Sequence, residues 1–130
     1  VMQYMGSKRR YKKEIIPIIT QDKGTKPFID MFTGGANIID SIRGGKRIAN
    51  DFHLPLIIMW KALQKGWIPP KFISKKEYYL IKHSEGVPLY LKAYVGFNSF
   101  GSKYFGGYIG SSPTLPNKTN VTYWASHYRC

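Results

Sequence analysis

The chain's 130 residues suffice for one domain with a real core, and 43% hydrophobic with 15% aromatic content excludes a disordered polymer. A net charge of +13 points to a polyanionic partner, nucleic acid first, because neutralised phosphates release condensed counterions; a merely soluble basic surface is the plainer alternative. One cysteine, Cys130, excludes an internal disulfide framework and fits a reducing compartment, and no apolar run nears membrane-spanning length, so a cytoplasmic protein without a membrane partner is expected.

Tyr4-Met5-Gly6-Ser7-Lys8 precedes a predicted helix that Ser7 caps and in which Tyr11, Ile15, Ile18 and Ile19 form an apolar face, with Pro17 expected to end or kink it. Positive charge clusters at Lys8-Arg9-Arg10 with Lys12-Lys13 and again at Lys75-Lys76; elsewhere it is dispersed. Tyr4 and Lys8 read either as a packing residue and a solvated charge, or as an aromatic wall and a carboxylate partner beside a site.

That site is the stretch from Lys26 to Asp51, which reads as strand, glycine turn, helix, strand. The run Phe28 to Phe32 is too short for a helix and stops at Gly34-Gly35, Asn37 to Ile42 resumes with helical spacing, and Arg47 to Ala49 leads into the acid Asp51. Glycines at such a turn permit a positive φ and close approach of a ligand to the backbone, and an acid at the end of the next parallel strand is placed to accept from ribose hydroxyls. The dinucleotide pattern needs a third glycine that this turn lacks, so a cofactor with a ribose and no pyrophosphate fits better, S-adenosylmethionine above all. An ordinary turn, with Asp51 capping a helix from Leu54 onward, accounts for the same residues.

Three helices follow in prediction. The first runs from Leu56 to Lys65, with Pro55 in its opening turn and Gly66 closing it; Trp67 to Pro70 is a break. Ser74-Lys75-Lys76-Glu77 has the capping-box pattern and opens a helix through Ile81 that closes near Gly86, and Pro88 begins another through about Tyr94. They read as a helical layer beside the sheet. From Gly96 to Ser112 aromatics alternate with glycine, serine and one lysine, a texture suited to stacking on bases and donating to phosphates, or to a hairpin whose aromatics fill its own underside. Thr119-Asn120 predicts a cap for a helix from Val121.

In order and spacing these pieces resemble one family, the adenine-specific DNA methyltransferases of bacteria and their phages. Tyr4-x-Gly6-x-Lys8 resembles its N-terminal cofactor element, Phe28-Ile29-Asp30-x-Phe32-x-Gly34 its glycine motif, Asn50-Asp51 its ribose acid, and Phe97 to Tyr108 the aromatic-glycine stretch of phage-type members. The resemblance implies an α/β, Rossmann-like S-adenosylmethionine-dependent methyltransferase fold, incomplete, with a helical DNA-recognition insertion. Residues 1–53 are then the cofactor-binding α/β part, 54–118 the mostly helical insertion, and 119–130 the start of the return to the catalytic domain. It implies methyl transfer to the exocyclic N6 amine of adenine in double-stranded DNA, in the cytoplasm of a prokaryote or of a phage-infected host cell. Tyr4, Lys8, Asp30, Phe32, Gly34, Gly35 and Asp51 would hold the cofactor, and Asn98, Ser99, Lys103 and Tyr104 would meet the DNA.

Two departures stand out. Where the family usually has Phe-x-Gly-x-Gly, this sequence has Phe32-Thr33-Gly34-Gly35-Ala36, and the Asp-Pro-Pro-Tyr type tetrapeptide that carries the chemistry does not occur; Pro69-Pro70 lies between Ile68 and Lys71. In the family that motif follows the insertion, so an inactive fragment that ends before it is expected, with no catalytic residue of its own. Nothing else in the sequence forms a catalytic set: the seven acids are scattered, and His53, His83 and His127 lack metal-ligand spacing with Cys130. The rival readings are a DNA-binding module that retains the scaffold without chemistry and a nicotinamide-dependent oxidoreductase, the latter disfavoured by the missing glycine and the positive charge.

Overall fold

Burial in this chain concentrates on the helices after the second strand. The computed structural model describes Met2 and residues 4–109. In order they form a 3₁₀ turn (Lys8–Tyr11), α1 (Lys12–Thr20), β1 (Phe28–Asp30), a 3₁₀ turn (Ile39–Ser41), β2 (Arg47–Ala49), α2 (Leu54–Gln64), α3 (Lys75–His83), α4 (Leu89–Phe97) and a 3₁₀ turn (Phe100–Ser102). The predicted cap at Thr119-Asn120 and the helix after it lie outside the described residues.

β1 and β2 pair in parallel with Phe28 opposite Arg47, Ile29 opposite Ile48 and Asp30 opposite Ala49. This is a mixed α/β arrangement with a small parallel sheet, compatible with the expected fold class. The segment between the strands departs from expectation: Asn37 to Ile42 makes a single 3₁₀ turn, not a helix. Gly44 and Gly45 follow at once with φ of 73° and 77°, which leaves too few residues to carry the cost of helix nucleation. The isoleucines there are buried all the same.

Local signals set the helix starts. Pro55 sits in the first turn of α2, where its fixed φ suits the helix and its missing N–H has no partner to lose. Ser74 and Glu77 complete the predicted capping box: Ser74 Oγ accepts from the Glu77 N–H at 3.2 Å and Glu77 Oε2 accepts from the Ser74 N–H at 2.8 Å. Those bonds hold the Glu77 carboxyl below its ordinary value. α4 runs three residues beyond Tyr94 because Ala93 to Phe97 are all buried and packing carries the helix on. Gly96 is required there, since a Cβ at that position would lie 2.6 Å from the Tyr104 ring and 2.9 Å from Phe105.

The core joins Leu56 and Met59 of α2, Ile73, Tyr78 of α3, the end of α4 and, from the far N-terminus, Met2. α1 stands apart. Pro17 lies inside it without ending it, and none of its residues is buried; of the predicted apolar face, Tyr11, Ile18 and Ile19 are exposed and Ile15 half-buried. Helical periodicity is present, but the described chain covers that face only in part, at Ile15.

Replacing fully buried Leu56 with alanine removes atoms from the α2–α4 contact and should cost about 2–5 kcal/mol, whereas Phe52→Ala, at a fully exposed neighbour, should change stability by less than about 0.5 kcal/mol. Urea titration of the two variants checks this; equal losses would mean that the core does not lie where α2 and α4 meet.

Candidate functional site

The N-terminal segment folds down over the glycine turn and closes a pocket there. Asn37 anchors it, its Nδ2 donating to the Met2 carbonyl at 3.3 Å and to Ser7 Oγ at 2.9 Å, while the Ser7 N–H donates to the Tyr4 carbonyl. Tyr4, Ser7, Lys8, Phe32, Gly34 and Asn37 are among the residues that line a small pocket of about 40 Å³. Both glycines are needed for the closure. A Cβ on Gly34 would stand 3.0 Å from the Tyr4 ring, and one on Gly35 would stand 2.8 Å from the Met2 carbonyl oxygen. Gly34 is also left-handed, as is Ala36, with φ of 49° and 59°.

Four bonds lash the turn to the strand ends. Thr33 exchanges main-chain and side-chain bonds with Asn50, and Asn50 donates to the Asp30 carbonyl at 2.8 Å. Asp51 Oδ2 accepts from the Gly34 N–H at 2.9 Å, while its Oδ1 accepts from the His53 N–H at 3.0 Å. Asp51 therefore fastens the turn and shapes the entry to α2 at once, and each oxygen keeps a lone pair for a further donor. Burial raises the Tyr4 hydroxyl pKa, and the Asp51 charge adds to the rise.

The remaining expected cofactor residues fall around this turn. Asp30 is buried, with Oδ1 accepting from the Phe32 N–H at 3.2 Å and Oδ2 without a partner among the described residues. Lys8, expected to face a carboxylate, donates instead to the Phe32 carbonyl at 2.6 Å, and the Phe32 ring is 78% exposed. Asn37 Oδ1 is likewise buried and unpartnered. Unmatched buried acceptors beside a bare backbone suit a partner that brings hydrogen-bond donors.

Sequence reasoning missed two contributors. Trp60 of α2 donates its indole N–H to the Gly34 carbonyl at 3.1 Å, although its spacing marked it only as an apolar helix residue. His53, read as a surface or capping residue, lies with its ring edge-on to Phe97 at 5.1 Å and to Tyr104 at 4.6 Å. Burial lowers its pKa, against a weaker opposite pull from Asp51. Its position two residues after the acid was the available signal.

The residues expected at DNA divide. Asn98 is buried and donates to the Tyr94 carbonyl at 2.8 Å. Ser99 is buried too; its hydroxyl reaches the Gly96 and Lys103 carbonyls and accepts from the Gly106 N–H at 2.8 Å. These two side chains thus build the loop. Tyr104 is half-buried against Phe97 at 5.0 Å, and Phe105 and Tyr108 pack on Tyr78, so these three aromatics fill the loop's own underside while Phe100 is exposed, although the segment forms a 3₁₀ turn and no hairpin among the described residues. Lys103 is exposed. No cluster of metal-ligating side chains occurs among the described residues, and no helix there is long and apolar enough to cross a membrane.

Comparison with known proteins accounts for this arrangement. The sequence model of the D12 class N6 adenine-specific DNA methyltransferases matches residues 4–104, from the Tyr4 of the pocket to the Tyr104 of the loop, and the chain belongs to that family. No curated protein and no solved structure matches the chain.

Ala36 holds a left-handed conformation that costs an L-residue about 1–2 kcal/mol and a glycine almost nothing. Ala36→Gly should therefore raise stability by about 1 kcal/mol and Tm by about 3–6 °C despite the freer unfolded chain. A thermal melt that shows a lower Tm would mean that the turn does not hold residue 36 in that conformation.

Proposed function

We propose that this family member transfers a methyl group from S-adenosylmethionine to the exocyclic N6 amine of adenine in double-stranded DNA. In this reading, residues 1–53 belong to a Rossmann-like cofactor-binding part and residues 54–118 to a helical target-recognition insertion. Family membership supports the reaction class. The observation that carries the cofactor assignment is the turn itself: Asp51 fixed on the Gly34 N–H, the Tyr4 ring against Gly34, and unpartnered acceptors on Asp30 and Asn37.

When bound, the cofactor supplies an electrophilic methyl group on its sulfonium. The chain's own residues do the holding. Asp51 retains lone pairs to accept from ribose hydroxyls, Tyr4 walls the pocket, and Asp30 or Asn37 accepts from the amino-acid ammonium. Lys8, already on the Phe32 carbonyl, keeps two further N–H groups for a carboxylate. The adenine amine is a weak nucleophile because its lone pair is delocalised into the ring, and in a duplex it is paired and out of line. Activating and flipping it is the task of the family's Asp-Pro-Pro-Tyr type motif, which does not occur in these 130 residues.

Calorimetry with S-adenosylmethionine should show binding by the chain and a loss of about 1–3 kcal/mol, roughly 5- to 150-fold, in a folded Asp51→Ala variant. Equal affinity in the two would remove Asp51 from the cofactor site. Radiolabelled methyl transfer to adenine-containing duplexes should be absent with this chain alone, since positioning of amine against methyl is worth about 7–11 kcal/mol, and present when the polypeptide continues through such a motif. Cofactor and DNA binding without transfer even then would favour the inactive binding module instead.

A further inference from the structure

Among the described cations, four are engaged by the fold and another four lie together on one element. Lys8, Lys23, Arg43 and Arg47 direct their charge at main-chain carbonyls of Phe32, Gly24 and Gly44, Asp40, and Ile39 respectively, and so serve the fold. Arg9, Arg10, Lys12 and Lys13 make no side-chain hydrogen bond to any described residue. They sit on the first 3₁₀ turn and the start of α1, an element with no buried residue of its own.

Arg9, Lys12 and Lys13 share one groove, floored by Ile16 and Pro17. Their i, i+3 and i+4 spacing stacks like charges on one face, which destabilises a helix by a few tenths of a kcal/mol per pair unless an anion relieves it. The groove meets the cofactor pocket at Asn37, which lines both.

We propose that this groove is a phosphate track, which holds the DNA backbone directly beside the cofactor pocket and independently of the aromatic-glycine loop. The inference rests on the reading that the chain acts on DNA. A free cationic row complements a phosphate row, the apolar floor of Ile16 and Pro17 suits the sugars between phosphates, and continuity through Asn37 brings the strand to the place where the methyl donor is held. Such contacts carry no sequence information and fix only the register of the duplex.

Fluorescence anisotropy with a short adenine-containing duplex, titrated at several salt concentrations, tests it. Replacing Arg9, Lys12 and Lys13 together with glutamine should weaken binding at least tenfold at low salt. The magnitude of the log–log salt slope should fall by roughly 2–3, about 0.9 for each phosphate that is no longer neutralised. S-adenosylmethionine affinity should stay unchanged. Lys75→Gln with Lys76→Gln, a basic pair at the start of α3, should have little effect. Wild-type affinity and slope in the triple variant would overturn the track while leaving DNA binding intact, and equal weakening in both variants would overturn it in favour of net charge. Absence of DNA binding by the unaltered chain would overturn both the track and the DNA reading beneath it.

Discussion

Gly34 is held at both of its main-chain polar groups by residues far along the chain. Its N–H donates to Asp51 Oδ2 at 2.9 Å and its carbonyl accepts from the Trp60 indole at 3.1 Å. The first bond is charge-assisted and the second comes from a helix that also supplies the core, so the turn's conformation is decided by β2 and α2 as much as by its own glycines. Everything in the pocket follows from that fixation: the left-handed φ at Gly34, the ring of Tyr4 laid on a residue with no Cβ, and the N-terminal segment drawn in until Met2 joins the helical core. Removing the carboxylate would leave the Gly34 N–H without its acceptor, which ties Asp51 to the fold of the turn.

The pocket and the aromatic-glycine loop are one packed body. Tyr4 of the pocket meets Phe97 at 5.2 Å, and Phe97, His53 and Tyr104 meet one another at 4.6–5.1 Å. His53 stands between the acid that pins the turn and the rings that seat the loop. With its pKa lowered by burial, its ring packs as a neutral aromatic, and protonation there would place a charge among apolar faces. Gly96 completes the arrangement from the helix side, since only a residue without a Cβ lets Tyr104 and Phe105 lie against α4. Close packing of this kind passes a displacement at one site to the other.

How much of this was legible follows from which interactions are local. The starts of α2 and α3 and the strand–glycine–strand order depend on residues within a few positions of one another, Pro55, Ser74 with Glu77, and Gly34-Gly35, and the sequence displays those directly. The short segment Asn37 to Ile42 has helical spacing but not helical length, and the two glycines after it decide the outcome. Asn98 and Ser99 look like donors to a partner because a sequence shows their hydrogen-bonding groups and not the carbonyls of Tyr94, Gly96 and Lys103 that the fold brings to them. Trp60 shows itself as a neighbour of the turn only through the placement of α2, because it acts across a gap of 26 residues that no periodicity encodes, whereas His53 carried a local signal in its nearness to Asp51.

Charge follows the same division between local and tertiary causes. A chain with +13 formal charge and seven acids cannot neutralise itself by ion pairing, and repulsion among its cations works against the compact state. Part of the excess is absorbed where loops would otherwise leave carbonyls unmatched: Lys23, nearly buried, reaches Gly24 and Gly44, and Arg47 reaches back to Ile39. Cations used in this way stabilise turns through charge-assisted bonds, and they cannot leave for a partner without loosening the loop they tie. Of the remainder, Lys61, Lys75, Lys76, Lys82 and Lys92 lie on the helices that supply the core, whereas Arg9, Arg10, Lys12 and Lys13 lie on an element that contributes nothing to it, so the charges there are retained at a cost in repulsion with no packing in return. An anionic partner is the physical circumstance in which that arrangement lowers the free energy instead of raising it.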